Sequence, residues 1–167
     1  MLIKPLTMAC ILAASSLQSL PPEVIMGLLK TEGGHVGGWT TNVNGSHDLG
    51  PMQVNDSSWA QKVADLQFSG NKTAAEAALI YDGCYNVEVG AWIYRQFLNE
   101  AHGDYGVAVG YYNSHNPEAA DKYRILFLHS LMELGFAGRH QGTALPPAAP
   151  DAPNAYASAG TGSGNQN

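Results

Sequence analysis

Charged residues are scarce in this sequence. They make up 13% of its 167 residues, against about 25% in a typical globular domain. Basic residues are the scarcer kind, because 8 lysines and arginines face 14 acidic residues and leave a formal net charge of -6. Such a chain lacks the basic footprint of a nucleic-acid-binding protein and is repelled by anionic lipid surfaces. We therefore expect no nucleic-acid partner and no stable insertion into a membrane.

Long apolar runs are missing as well. The run at residues 8–14 is too short to cross a membrane. With a lysine before it and small residues after it, residues 1–16 have the form of a short secretory signal. Cleavage of such a signal would remove Cys10, so we instead predict that residues 6–18 form the first helix of the mature domain.

Cysteine is nearly absent, since Cys10 and Cys84 are the only two. An even pair in a small exported domain favours a disulfide. Closing a loop of about 75 residues would stabilise the fold by roughly 4.5 kcal/mol. The alternative is two separate buried thiols, and the residues alone leave both interpretations open.

The length suits a single domain with its own core. Apolar residues recur mainly at helical spacing, which predicts a mostly α fold over residues 1–138. Turn-forming residues between 38 and 50, with Asn44-Gly45 among them, predict a small hairpin or irregular loop. Residues 139–167 are rich in Ala, Pro, Gly and Ser without periodicity, so we expect a disordered tail there.

Local signals predict where the helices begin. The starts are assigned to Pro21-Pro22, to Asp56, to a capping box at Thr73–Glu76, to a cap at Asp104 and to Asn116-Pro117. A core helix is predicted over residues 87–99. The last helix has an apolar stripe of Tyr123, Leu126, Phe127, Leu131 and Leu134.

Glu32 stands at the end of a predicted amphipathic helix. It follows Ile25, Leu28 and Leu29 by seven, four and three residues, so its carboxyl group lies on the apolar face. Gly33-Gly34 then ends the helix. A carboxyl group against apolar surface has a raised pKa and can act as a general acid near neutral pH. The alternative is an ordinary glutamate at a fraying helix end, turned to water.

Two later motifs have residues suited to a binding groove. Gly50-Pro51-Met52-Gln53 predicts a tight turn whose glutamine can donate and accept hydrogen bonds. Tyr111-Tyr112-Asn113 closes a later helix. The glycine-rich segment at 33–38 lacks the lysine and hydroxyl residue of a phosphate loop. The histidines and cysteines have no metal-ligand spacing, so we predict neither a metal nor a cofactor.

Glu32, the turn and the Tyr111-Tyr112-Asn113 triplet together resemble the lytic transglycosylases of the lysozyme-like superfamily. The resemblance is closest to the small enzymes that accompany bacterial secretion, conjugation and pilus machines, and it covers roughly residues 8–136. The family pattern is a catalytic glutamate, a Gly-Leu-Met-Gln turn and an Ala-Tyr-Asn triplet. The resemblance implies an α+β lysozyme-like fold and favours the Cys10–Cys84 disulfide.

The resemblance also implies a role for each motif. Glu32 corresponds to the catalytic acid and base, and the substrate-binding positions are Gly50, Met52, Gln53, Tyr112 and Asn113, of which Tyr112 and Asn113 would also orient the acid. Three residues depart from the pattern, namely Gly33 for serine, Pro51 for leucine and Tyr111 for alanine. The loss of the serine hydroxyl predicts weaker activity, whereas the other two departures are interpreted as packing changes.

The implied activity is cleavage of the β-1,4 bond between N-acetylmuramic acid and N-acetylglucosamine in peptidoglycan glycan strands, with a 1,6-anhydro product. We expect a periplasmic monomer that opens the wall locally for a secretion, conjugation or pilus apparatus, with its signal segment absent, trimmed or overlapping residues 1–16. One alternative is a lysozyme-type hydrolase with Asp48 as the second carboxylate. Another is a non-catalytic wall-binding subunit of such an apparatus.

Overall fold

Seven α-helices and three short strands form residues 2–136, the part of the chain that the computed structural model describes. The predicted mostly α, α+β lysozyme-like architecture is confirmed. The predicted tail at 139–167 lies outside the described residues. In chain order the elements are α1 (Met8–Leu17), α2 (Pro22–Glu32), β1 (Trp39–Thr41), β2 (His47–Leu49), β3 (Val54–Asn55), a π-helical turn (Asp56–Ala60), α3 (Gln61–Gln67), α4 (Lys72–Tyr81), α5 (Gly83–Glu100), α6 (Tyr105–Asn113) and α7 (Pro117–Glu133).

The three strands form one antiparallel sheet in the order β1-β2-β3. Trp39 pairs with Leu49 across β1 and β2, and Leu49 pairs with Val54 across β2 and β3. The turn between β1 and β2 is closed by Gly45, which donates its N–H to the Asn42 carbonyl oxygen at 2.9 Å. The predicted hairpin is therefore present, and β3 extends it beyond residue 50.

Helix α5 forms the centre of the domain and packs against α1, α4 and α6. Helix α7 packs against α6 and α2. The axes of α2 and α7 come close because Gly27 has no side chain, and a Cβ atom there would overlap the Phe127 ring. Near the end of α2, Thr31 Oγ1 donates to Ser130 Oγ at 2.9 Å. These contacts fix the end of α2, where Glu32 lies, against α7.

The N-terminal segment is attached to the start of α5. Cys10 and Cys84 form a disulfide with 5.2 Å between their Cα atoms, as the resemblance implied. Lys4 donates its N–H to Tyr81 O at 2.9 Å and accepts from Gly83 N at 3.0 Å. Helix α1 lies within the predicted range of 6–18 and is part of the folded domain.

Several predicted helix starts need correction. The capping box at Thr73–Glu76 is wrong, because the cap of α4 lies two residues earlier, at Asn71, whose Oδ1 accepts from Ala74 N at 3.1 Å. The core helix predicted from residue 87 begins at Gly83, with Asp82 as its cap. The helix predicted from Asp56 begins as the π-helical turn before it continues as α3.

The predicted stripe on α7 is only partly buried. Tyr123 and Phe127 are in the core, whereas Leu126 and Leu134 are 58% and 38% exposed. Helix α7 covers α2 and α6 with one narrow face, so Leu126 and Leu134 fall beside the contact. Within residues 2–136, no helix has both the length and the apolar character needed to cross a membrane.

Candidate active site

Glu32 is the last residue of α2, and two glycines shape the chain beyond it. Gly33 has a left-handed φ of 63° and donates its N–H to Leu29 O at 3.1 Å, which ends the helix. Gly34 then passes directly against the turn at residues 50–53. A Cβ atom on Gly34 would overlap the carbonyl oxygen of Gly50 and lie 2.7 Å from Gln53 Nε2. Only glycine allows Glu32 and this turn to lie so close together.

The carboxyl group of Glu32 is held in a mostly buried position. The net effect of its surroundings raises its pKa from 4.5 to about 7. Burial is the largest cause, the hydrogen bond from the Tyr123 hydroxyl opposes it, and the negative charge of Asp48 adds a smaller rise. The raised pKa predicted from the apolar face of α2 is thus present. Near neutral pH such a group exists in both protonation states, so it can give a proton and take one back.

Tyr123 of α7 donates its hydroxyl hydrogen to Glu32 Oε1. Burial and the charge of Glu32 raise the pKa of Tyr123, so the phenol remains a donor. The sequence interpretation placed Tyr123 in the apolar stripe and gave it no role at the site. A signal was present, because Tyr123 is the only stripe member with a hydroxyl group, and a buried tyrosine hydroxyl needs a partner.

The turn at residues 50–53 is held by the fully buried side chain of Asn86. Asn86 Oδ1 accepts from Met52 N at 2.7 Å, and Asn86 Nδ2 donates to Leu49 O at 2.8 Å and to Leu79 O at 2.9 Å. Gly50 has a φ of +67°, and a Cβ atom there would overlap the Asn86 amide. Asn86 thus uses its whole amide group to fix the turn beside Glu32.

Met52 and Gln53 differ in how they relate to the groove. The Met52 side chain is fully buried, and its atoms occupy the space that a Cβ atom on Gly90 would need. The Met52 side chain therefore lies in the core, and the assignment of Met52 to the substrate groove stays a prediction that this side chain does not support. Gln53 is partly exposed and donates from Nε2 to Gly50 O at 2.8 Å.

Tyr112 and Asn113 are the last two residues of α6, and Tyr112 contacts the turn. The Tyr112 hydroxyl donates to Met52 O at 3.0 Å. Burial, followed by the charges of Glu32 and Asp48, raises the pKa of Tyr112, so Tyr112 lies near both carboxyl groups. Asn113 is exposed. The expected orienting hydrogen bond to Glu32 comes from Tyr123 instead, and Tyr112 braces the turn.

Asp48 is the second carboxylate near Glu32. Its Oδ2 accepts from Asn42 Nδ2 at 2.9 Å and its Oδ1 accepts from Asn55 Nδ2 at 2.7 Å. Each carboxylate oxygen therefore has an amide donor that fixes it to the sheet. Asp48 acts on Glu32 through its charge, which favours the protonated form of Glu32.

In a comparison with protein-family models, the chain matches the transglycosylase SLT domain over residues 9–124. The chain belongs to this family. The matched range includes Glu32, the turn, Tyr112 and Tyr123, and membership supports peptidoglycan lytic transglycosylase activity with peptidoglycan as the substrate. A search of curated proteins found no match.

The departures of this SLT domain from the expected pattern can now be placed. Among residues 2–136, no atom outside the adjacent residues lies within 4 Å of the Cβ position of Gly33, so a serine side chain meets no clash with them although the backbone is left-handed. Pro51 is buried within the turn. The tyrosine at position 111 does not fill space in the core. Its half-buried ring stacks on the exposed His115.

Proposed function

We propose that this protein is a peptidoglycan lytic transglycosylase in which Glu32 serves first as general acid and then as general base. The observation that carries the proposal is the buried carboxyl group of Glu32, with a pKa of about 7 and a hydrogen bond from Tyr123. Asp48 has both oxygens occupied by amides. A single carboxyl group that changes protonation state suits a reaction in which no water is consumed.

In the first step, protonated Glu32 donates its proton to the oxygen between N-acetylmuramic acid and N-acetylglucosamine. The bond from that oxygen to the anomeric carbon of the muramic acid breaks, and N-acetylglucosamine leaves with a free hydroxyl. The substrate's own acetamido oxygen stabilises the positive charge at the anomeric carbon. The Tyr123 hydroxyl stabilises the carboxylate that remains on Glu32.

In the second step, ionised Glu32 removes the proton from the 6-hydroxyl of the same muramic acid. The 6-oxygen then bonds to the anomeric carbon and closes the 1,6-anhydro ring. Glu32 is protonated again at the end, so the cycle needs no external proton donor. A pKa near 7 suits both directions of transfer, because neither state of Glu32 is strongly disfavoured at neutral pH.

The remaining site residues fall into two groups. Gln53 and Asn113 are accessible and have amide groups, so we assign them to hydrogen bonds with the sugars. Gly50, Met52 and Tyr112 hold the turn in place and act on the substrate through it. This division differs from the one that the sequence resemblance implied, because burial separates the two groups.

The rival reaction is hydrolysis with Asp48 as nucleophile, which the electrostatic effect of Asp48 on Glu32 favours. A retaining hydrolase holds two carboxyl groups about 5–5.5 Å apart with the second one free to attack. Attack by Asp48 would start from a carboxylate whose two oxygens accept hydrogen bonds from Asn42 and Asn55, which hold it to the sheet and lower its nucleophilicity. The transglycosylase reaction makes no such demand.

We further propose that the protein acts in the periplasm, as a monomer, where it opens the wall locally for a secretion, conjugation or pilus apparatus. Support comes from the disulfide between Cys10 and Cys84, which persists in oxidising compartments. The motif resemblance to the small enzymes of such machines points in the same direction. If the protein is instead a non-catalytic assembly subunit, a Glu32→Gln variant will support apparatus assembly as well as the wild type does.

The test is release of soluble muropeptides from purified peptidoglycan by wild type, Glu32→Gln, Asp48→Asn and the control Glu118→Gln, whose side chain is 79% exposed. Loss of a general acid costs roughly 10²–10⁴-fold in rate, so Glu32→Gln should be nearly inactive and Glu118→Gln should match wild type. Asp48→Asn should keep most activity at pH 6. Equal rates for Glu32→Gln and wild type would refute the assignment, and an inactive but folded Asp48→Asn would favour the hydrolase.

A further inference from the structure

Two rings stack on the surface beside the candidate site. The centroids of Tyr111 and His115 are 4.2 Å apart and the ring planes differ by 20°. Tyr111 is half-buried and His115 is exposed. We call this pair the Tyr111–His115 platform. Neither ring takes part in the proton transfers assigned to Glu32.

Helix α5 holds the platform in a fixed position. His115 Nε2 lies 2.9 Å from Glu100 Oε1. The His115 ring also meets the Phe97 ring at 67°, with 5.6 Å between centroids. The imidazole is held by Glu100 and Phe97 and stacks on Tyr111. Binding of a ligand to the platform therefore costs little side-chain conformational entropy.

The platform is continuous with the surroundings of Glu32. Phe97 contacts Tyr112 as well as His115, with 6.4 Å between the Phe97 and Tyr112 centroids. Tyr112 in turn braces the turn beside Glu32 through its bond to Met52 O. A row of aromatic rings therefore connects the place where the bond is cleaved to an exposed aromatic surface.

The chemistry of the platform fits a sugar ring. One side of a pyranose ring presents C–H groups that pack on aromatic surface, while its hydroxyl groups need polar partners. The Tyr111 ring offers the apolar surface, and the Tyr111 hydroxyl and Glu100 carboxylate offer polar partners. Glu100 is exposed and Tyr111 is half-buried, so a bound sugar reaches the carboxylate without burial of an unpaired charge.

We propose that the Tyr111–His115 platform is an outer sugar subsite, which binds an N-acetylhexosamine ring of the glycan strand beyond the two rings at the cleaved bond. The inference rests on the proposed function, because only a polymeric substrate occupies the site and the platform at once. The platform adds affinity for long strands and leaves the proton transfers unchanged. Its effect is therefore a dependence of binding on chain length.

The test measures binding of N-acetylglucosamine oligomers, from dimer to octamer, to the full chain in the Glu32→Gln background, by calorimetry. Affinity should rise with length and then reach a plateau. Tyr111→Ala should weaken binding of the octamer roughly tenfold, as expected for one lost stacking contact. The affinity for the shortest oligomer that binds should change by less than about twofold. Tyr111→Phe keeps the ring and should bind like the parent. Tyr81→Ala, at a half-buried tyrosine at the end of α4, is the matched control.

Equal affinity of Tyr111→Ala and the parent for the octamer would overturn the inference. An equal loss for short and long oligomers would also overturn it, since that result indicates damage to the central site. A loss confined to glycan fragments that carry stem peptides would assign the platform to the peptide instead. The proposed function fails by a different result, namely no muropeptide release by the wild type, so the two failures are distinguishable.

Discussion

The environment of Glu32 makes folding stability depend on pH in a way that one substitution removes. In the folded protein the pKa of Glu32 is about 7, against 4.5 for an ordinary glutamate. The folded state thus holds the proton more tightly than the unfolded state does. Stability from this group is complete below pH 4.5 and is lost as pH rises to 7, which amounts to about 3 kcal/mol.

Glu32→Gln cannot ionise and still offers an oxygen to the Tyr123 hydroxyl. At pH 8 the variant should therefore be more stable than wild type by about 3 kcal/mol, and at pH 4 the two should agree within about 0.5 kcal/mol. In thermal unfolding, the gain at pH 8 corresponds to roughly 10 °C.

The assay is urea unfolding at pH 4, 6 and 8, read as a change in midpoint at constant slope. Glu118→Gln removes an exposed carboxylate and should shift stability by less than about 0.5 kcal/mol at every pH. A Glu32→Gln variant with the same advantage at pH 4 as at pH 8, or with none at either, would refute the account of a buried carboxyl group that favours its protonated form.

Other substitutions test the parts of the site. Tyr123→Phe removes the hydrogen bond that favours ionised Glu32, so the decline of kcat/KM near pH 7 should move up by about one pH unit, as a pH profile will show. Asn86→Ala leaves buried backbone groups of the turn unpaired and should cost about 3 kcal/mol in urea unfolding. Cys84→Ser should lower the free energy of unfolding by up to about 4.5 kcal/mol. A reductant should then destabilise the wild type, which has the disulfide, and leave the stability of the variant unchanged. Gly33→Ser should cost about 1 kcal/mol for its left-handed backbone and raise the rate of muropeptide release by returning a hydroxyl beside Glu32.

Local features of the site could be predicted from the sequence. The position of Glu32 on an apolar face follows from helical periodicity over about two turns of α2, and the glycines after it identify the helix end. The predicted cap at Asp104 and the predicted helix start at Asn116-Pro117 are also confirmed. These features depend on residues a few positions apart, where spacing determines geometry.

The partners of Glu32 could not be predicted in the same way. Tyr123 lies 91 residues along the chain from Glu32, and Asn86 lies 34 residues from Met52. Their contacts depend on how α7 packs on α2 and how α5 packs beneath the turn. Spacing alone also does not distinguish the buried Met52 from the accessible Gln53, because a left-handed φ at Gln53 redirects the chain between them.

The most direct measurement is the mass of the muropeptides that the wild-type protein releases from peptidoglycan in water labelled with heavy oxygen. The account predicts 1,6-anhydro products that are one water molecule lighter than hydrolysis products and contain no label, because the 6-hydroxyl of the sugar replaces water. Products with a reducing end, heavier by one water molecule and carrying the heavy oxygen, would contradict it.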